Sequence, residues 1–383
     1  MFLSVVILTL VCYTIHKEVY AVGDMFDYIS WRGDLSFSDV PFGPADALLF
    51  STLVYLRFEG IIPPDTQYPV PLHVASDAFS ALADADERVR SRHDLALLRA
   101  AADADRFRDV RLCCYCSRLL EQEKSQFAAM ACILTDGTAF LAFRGTDNTL
   151  IGWQEDFNMS FCDSVPAQRE AAAYVKEFAD NRQVLLRLGG HSKGGNLAVY
   201  AGAKQDDLTR RRILGIYNLD GPGFTDAMLE DPGYLEIVPK IHTYIPESSV
   251  IGMLLEHEED YSVIKSRQIG LLQHEPYSWE VMGGGFVQTQ EISEGNRFAD
   301  RAIRNWIRDM TEQERETLVE TIFELARSGG ANELKDLLHP KSIHAFFKAL
   351  KNNPKSQRLL AGEFTELLRA IRETADEIKS QPG

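Results

Sequence analysis

Cysteine is scarce in this chain of 383 residues: six in all, at Cys12, Cys113, Cys114, Cys116, Cys132 and Cys162, unevenly placed. So thin and irregular a set does not make a disulfide framework, and a reducing compartment, the cytoplasm, is the simpler reading. Nor does Cys113-Cys114-x-Cys116 have a second Cys or His pair at ligand spacing behind it, so no metal site is expected. Positive charge is also short. Forty Lys and Arg against 56 Asp and Glu leave a net charge of -16, with no basic tract to offset it, which argues against nucleic acid as a partner. Long apolar runs are missing apart from residues 1–13, too few to span a bilayer comfortably. No basic residue precedes that run, which speaks against a secretory signal, although Val19-x-Ala21 is a tolerable cleavage site. Residues 1–24 are therefore read as an extension upstream of the folded domain. Acting as a signal or anchor, they would instead make the protein secreted or membrane-attached. Repeats and low-complexity stretches are absent too.

What is present is a chain 45% hydrophobic, enough for a large core. Helical periodicity runs through 44–60, and 81–122 reads as two or three charged amphipathic helices. Apolar runs at 127–134 and 138–143 meet at Asp136-Gly137, a hairpin signal. Further strands are expected at 184–188, 213–219 and 241–245, with helices at 169–181 and 196–201 between or before them. Strand, helix, strand in succession implies a parallel crossover. From about residue 286 the pattern turns helical, with runs at 297–310, 311–327 and 363–380. The expected fold class is α/β: a mostly parallel sheet flanked by helices, with a helical C-terminal region. The expected units are 1–24, 25–285 and 286–383.

The most informative element is Gly189-Gly190-His191-Ser192-Lys193-Gly194-Gly195-Asn196, directly after the apolar run 184–188. A serine on a sharp turn between strand and helix can present its hydroxyl above the sheet only where small neighbours avoid backbone clashes, and Gly190 and Gly194 supply them. The bare Gly-x-Ser-x-Gly pattern is weak by itself, but here it falls in a helix, strand, turn, helix context. Its spacing fits neither a Walker loop nor a dinucleotide fingerprint. Ser192 is thus a candidate nucleophile.

A serine hydroxyl needs a base to take its proton and an acid to orient that base. His242 lies inside an expected strand, so the base is sought in His274, beyond the last expected strand, with His257 in an acidic run as competitor. For the acid, Asp220 stands just past the strand 213–219 at the edge where ligands bind. Glu247 occupies the analogous place one strand later and stays open as the alternative. Oxyanion donors are expected from the backbone N–H of Lys193 and from the loop at Gly145-Thr146, with Thr146 as the candidate. Arg144 is expected to brace that loop against Asp147 or Asp156. No cofactor is needed, because ester cleavage of this kind uses side chains, backbone donors and water.

Phe143-Arg144-Gly145-Thr146, then Trp153 and Asp156, then Gly190-His191-Ser192-Lys193-Gly194-Gly195 together resemble the class 3 lipase pattern. Within it the chain is most similar to the Mbeg-like bacterial lipase-like family, over about 25–279, including the openings Met25-Phe26-Asp27-Tyr28 and Ser248-Ser249-Val250-Ile251-Gly252. The resemblance implies an α/β-hydrolase core and a Ser-Asp-His triad with Ser192 as nucleophile. The chain departs from the pattern where class 3 lipases carry their aspartate, having Glu247-Ser248-Ser249 after the strand 241–245. The expected function is a lipase- or esterase-like serine hydrolase with a small-molecule or lipid ester as substrate. A non-catalytic hydrolase-fold module binding lipid or protein, and a thioesterase or acyltransferase with the same triad, are the alternatives. An apolar segment at 250–255 is read as either a cap over the acyl pocket or a core helix.

Overall fold

The computed structural model describes residues 22–120, 125–146, 155, 159, 164–247, 249, 252, 257–268, 270–289, 305–306, 309–328 and 340–380. The first of these supply helices α1 (Met25–Arg32) and α2 (Pro44–Leu53), a short strand β1 (Val70–Pro71), and helices α3 (Leu72–Ser80) and α4 (Arg92–Asp103). An antiparallel meander follows: β2 (Arg111–Leu120), β3 (Ser125–Ile133) and β4 (Ala139–Phe143). Helices and strands then alternate through α5 (Pro166–Asn181), β5 (Leu186–His191), α6 (Lys193–Ala203), α7 (Asp207–Arg212) and β6 (Ile213–Leu219). The sheet closes with α8 (Asp226–Leu229), α9 (Pro232–Ile237), β7 (Ile241–Pro246) and β8 (Tyr261–Ile264). A small hairpin, β9 (Val281–Met282) and β10 (Gly285–Phe286), and the helices α10 (Glu312–Ser328), α11 (Pro340–Lys351) and α12 (Pro354–Ser380) complete the described elements.

The eight strands of the main sheet lie in chain order, antiparallel from β1 to β4 and parallel from β4 to β8. Successive side chains of a strand point to opposite faces, so a strand covered on both sides is apolar on both, as β4 is throughout and β3 is from Phe127 onward. Met130, Phe140, Ala142 and Tyr217 face a core shared with α1 to α4, built from Tyr28, Phe50, Phe79 and Leu98. Ala129, Leu141, Phe143, Leu188 and Ile216 face the other way, against Val175 and Phe178 of α5, Leu197 of α6 and Ile237 of α9. The fold is α/β, a mostly parallel sheet between two helical layers. No helix among the described residues is long and apolar enough to cross a membrane.

Local chemistry sets the element ends. Asp136 accepts from both the amide and hydroxyl of Thr138 while Gly137 takes φ 84°, closing the β3–β4 hairpin as its Asp-Gly dipeptide predicts. Pro166 opens α5, and Ser91 and Asp94 form a capping box on α4. Two expectations fail. Residues 81–122 do not form only helices: α4 ends at Asp103, and Arg111–Leu120 is a strand that pairs with β3 and accommodates one extra residue at Cys114, φ 54°. Its run of Cys, Tyr and Leu has no strong period, so the ladder with β3 decides its conformation. The helix expected over 44–60 stops at Leu53, and the chain turns away through Gly60, φ 82°.

Buried charge is pinned by dense hydrogen bonding. Asp46, wholly enclosed, accepts from Tyr28 Oη at 2.6 Å, from Arg106 Nε and Nη2 at 2.8 and 2.7 Å, and from the Gly43 amide at 2.9 Å. Arg106 spends its remaining donors on the carbonyls of Leu35, Ser36 and Val40, tying α1, α2 and the loop between them to the end of α4. A second knot lies beneath β7. Glu259 accepts from Thr243 at 2.6 Å and Tyr234 at 2.7 Å, and meets His257 Nδ1 at 3.0 Å. Burial alone would raise the Glu259 pKa, but the His257 contact and the two hydroxyl donors outweigh it and hold it down at about 2.

Two stability predictions follow from these knots. Arg106→Ala strands the Asp46 carboxylate and is expected to cost about 3–5 kcal/mol in urea unfolding. Glu259 titrates lower in the folded than the unfolded chain, so it stabilises the fold fully above pH about 4.5 and loses that contribution as pH falls toward about 2. Glu259→Gln should therefore remove roughly 3 kcal/mol at neutral pH and flatten the stability curve across that acid window, measured by denaturant titration at stepped pH.

Candidate active site

β5 and β6 run parallel with His191 opposite Leu219, and the residue after each is the one that matters: Ser192 and Asp220. Both carry positive φ, 60° and 56°, which a side chain with a Cβ adopts only under constraint. The Ser192 amide is held by the Leu219 carbonyl at 2.9 Å and the Asp220 amide by that of Tyr244 at 2.9 Å, so each turn is locked to its neighbouring strand. Ser192 is the N-cap of α6 with ψ -134°, the sharp strand-to-helix bend that its motif predicts. Glycine is obligatory on either side: a Cβ at Gly190 would overlap the Gly194 backbone, and one at Gly194 would overlap the Phe143 carbonyl.

The imidazole of His274 comes from a loop beyond β8. Its Nδ1 lies 2.6 Å from Asp220 Oδ2, the carboxylate being fully buried and the ring 23% exposed. The loop is nailed down on both sides of the ring. Trp279, buried in the core, donates its indole N–H to the Gln273 carbonyl at 2.9 Å, and Tyr277 donates its hydroxyl to Asp94 of α4 at 2.7 Å. Among the described residues, neither of the other acid and base candidates is the group bonded to His274 Nδ1 or to Asp220 Oδ2. Glu247 follows β7 with its amide on the Ile264 carbonyl, and it is Asp220 that meets His274. His257 has both ring nitrogens engaged, Nδ1 with Glu259 and Nε2 with the Gly252 carbonyl at 2.9 Å. Gly252 in turn sits so tightly on Asp220 Oδ1 that no side chain could be added there.

His191, which sequence reasoning passed over, joins the pieces. Its Nε2 faces the His274 carbonyl oxygen at 2.7 Å and must carry the proton; Nδ1 then accepts from Tyr55 Oη at 3.2 Å. Burial first, then the charges of His274 and Arg90, push its pKa far below the ordinary histidine range, so the ring stays neutral. It packs on His274 with ring centroids 4.5 Å apart and on Trp279 at 5.9 Å. Ser192, 7% exposed, thus reaches the His274 loop through the residue before it. His274 Nε2 makes no hydrogen bond among the described residues, Ser192 included.

Gly145 brings the β4 loop against the elbow: a Cβ there would meet Tyr55 Oη, the His191 carbonyl and Ser192 Cβ. Thr146 follows it directly, and Lys193 opens α6 on the other side of Ser192. The side chain of Lys193 is enclosed and bonds Glu155 Oε2 at 3.0 Å and the Gln126 carbonyl at 3.0 Å. Asp147, Trp153, Asp156 and most of the segment 250–255 lie outside the described residues, and with them the expected brace for Arg144 and the expected cap. Signals for the missed residues were present: an aromatic or imidazole ring beside the nucleophile, and polar Lys193 and Asn196 on an otherwise apolar helix.

Two solved lipase structures are similar to this chain. The Rhizomucor miehei lipase propeptide complex aligns at 16% identity with a TM-score of 0.34, over 57% of this chain and 68% of its own. M37 lipase aligns at 11% identity with a TM-score of 0.35, over 87% of this chain and 98% of its own. Among curated proteins no match is found. The Mbeg1-like family model matches residues 101–324, from α4 through the whole parallel sheet, the elbow and the His274 loop, and on that match the chain belongs to the Mbeg1-like family.

Proposed function

We propose that this protein is a serine hydrolase that cleaves carboxylic esters through an acyl-enzyme on Ser192. The observation that carries the reading is the strained Ser192 elbow standing one strand away from a buried Asp220 joined to His274. In this reading Asp220 keeps the proton of His274 on Nδ1, which leaves Nε2 as the base. Ser192 Oγ attacks the ester carbonyl while Nε2 takes its proton, and the developing oxyanion is met by the Lys193 amide and by Thr146. The protonated imidazole then gives its proton to the leaving alcohol, and water enters by the same route in reverse to release the acid. Because Oγ and Nε2 are not bonded in the resting arrangement, the two must close as substrate binds, a tightening common at unliganded sites.

In this reading Asp220, joined to His274, serves as the acid in preference to Glu247, and His274 serves as the base in preference to His257, whose ring nitrogens meet Glu259 and Gly252. The substrate side is a small-molecule or lipid ester, and the same residues serve a thioesterase or acyltransferase equally well.

A fluorophosphonate probe is expected to label the wild-type protein and not Ser192→Ala. Asp220→Asn should fold normally and hydrolyse a short p-nitrophenyl ester about 10⁴-fold more slowly, through loss of the productive imidazole tautomer. Well-folded wild-type protein that neither labels nor turns over ester would leave a hydrolase-fold binding module in place of an enzyme.

A further inference from the structure

Lys193 is the residue whose backbone N–H the hydrolase reading uses, and its side chain is the least economical one for its position. The ammonium is 0% exposed and its partner Glu155 is 1% exposed. Burying two charges costs several kcal/mol per ion before their attraction is counted, and an apolar side chain of similar size fills such space without that cost. The partner is also unusually well tied. Glu155 Oε2 accepts from Lys193 Nζ and from the Gln126 amide at 2.9 Å, and Oε1 accepts from the Ala167 amide at 3.1 Å. Lys193 Nζ adds the Gln126 carbonyl. One carboxylate therefore locks the start of β3, the first turn of α5 and the first residue of α6 together.

One turn further along α6, on the same side, Asn196 repeats the design. Gln168 of α5 donates to Asn196 Oδ1 at 2.8 Å, and Asn196 Nδ2 donates to the carbonyls of Pro222 and Gly223 at 3.1 and 2.8 Å, in the loop that begins at Asp220. The first turn of α6 is thus clamped through side chains at positions three apart, one reaching β3 and the other the acid loop. Donors in a helix's first turn point outward along its axis, so their aim follows the tilt of that turn.

We infer that the Lys193–Glu155 ion pair is the positioning element of the oxyanion hole, fixing the direction of the Lys193 N–H. It deepens the hydrolase reading and rests on it. Aim matters because an oxyanion donor acts only within a narrow distance of the developing charge, and a displacement on the order of 1 Å costs about 10²-fold in rate.

The test is the charge-free pair Lys193→Met with Glu155→Leu, made together so that neither charge is left buried alone. Hydrolysis of p-nitrophenyl butyrate and inhibition by butylboronic acid, which mimics the tetrahedral state, are measured beside a thermal melt. The expected result is a folded protein with KM within about twofold of wild type, and with kcat lowered and the boronate inhibition constant raised by roughly tenfold to a hundredfold. A folded double variant with wild-type kcat and boronate affinity overturns the inference and leaves the pair a structural staple. If that variant does not fold, Lys193→Met with Glu155→Gln, which keeps the shape of the carboxyl group, decides by the same readings. Wild-type protein without Ser192-dependent turnover is a separate outcome, seen before any variant is made, and it removes the hydrolase reading together with this one.

Discussion

Two neighbouring parallel strands that end in register set Ser192 and Asp220 side by side, and the rest of the candidate site is built on that pair. Because His191 lies opposite Leu219, the next residue on each strand leaves the ladder at the same level, and both do so through a left-handed backbone bend. Such bends cost about 1–2 kcal/mol each for residues with a Cβ, so they persist only where the surroundings dictate them. Here the dictation is visible: each amide is captured by the adjacent strand's carbonyl, and the backbone at Gly190, Gly194 and Gly252 approaches too closely for any side chain. The sheet is the ruler that sets the separation of Ser192 and Asp220, and the crossover helices are its cover.

Much of this was legible beforehand. The Asp-Gly turn, the strands at 213–219 and 241–245, the helix before β5 and the elbow itself rest on short-range rules of turn chemistry and period, and those rules act within a few residues. Asp220 was readable as the residue just past a strand end, and His274 as a histidine beyond the last expected strand. The strand β2 was not, because its conformation is dictated by pairing with β3 and not by its own sequence. The roles of His191, Tyr55 and Glu155 were equally hidden. Each acts on a group far away in the chain, 136 residues for Tyr55 with His191 and 38 for Lys193 with Glu155, and no local pattern encodes such a meeting.

The buried carboxylates divide by how they are satisfied. Asp46, Glu155 and Glu259 each collect three or more donors and serve as fixed joints between elements. Asp220 differs: one oxygen meets His274, while Oδ1 has no hydrogen-bond partner among the described residues. Its charge is therefore answered chiefly by an imidazole that is itself partly exposed. The saturated carboxylates are held by several elements at once, whereas that of Asp220 is dedicated to one ring.

The neutral His191 has one more consequence. Two imidazoles tilted against each other with centroids 4.5 Å apart would repel if both were charged, and the buried one is barred from taking up a proton. The buried ring thus behaves as a rigid, uncharged shelf beneath its neighbour. A solvent-facing shelf would gain charge in mild acid and loosen the ring contact; enclosed between Tyr55, Trp279 and the His274 carbonyl, this one keeps its shape.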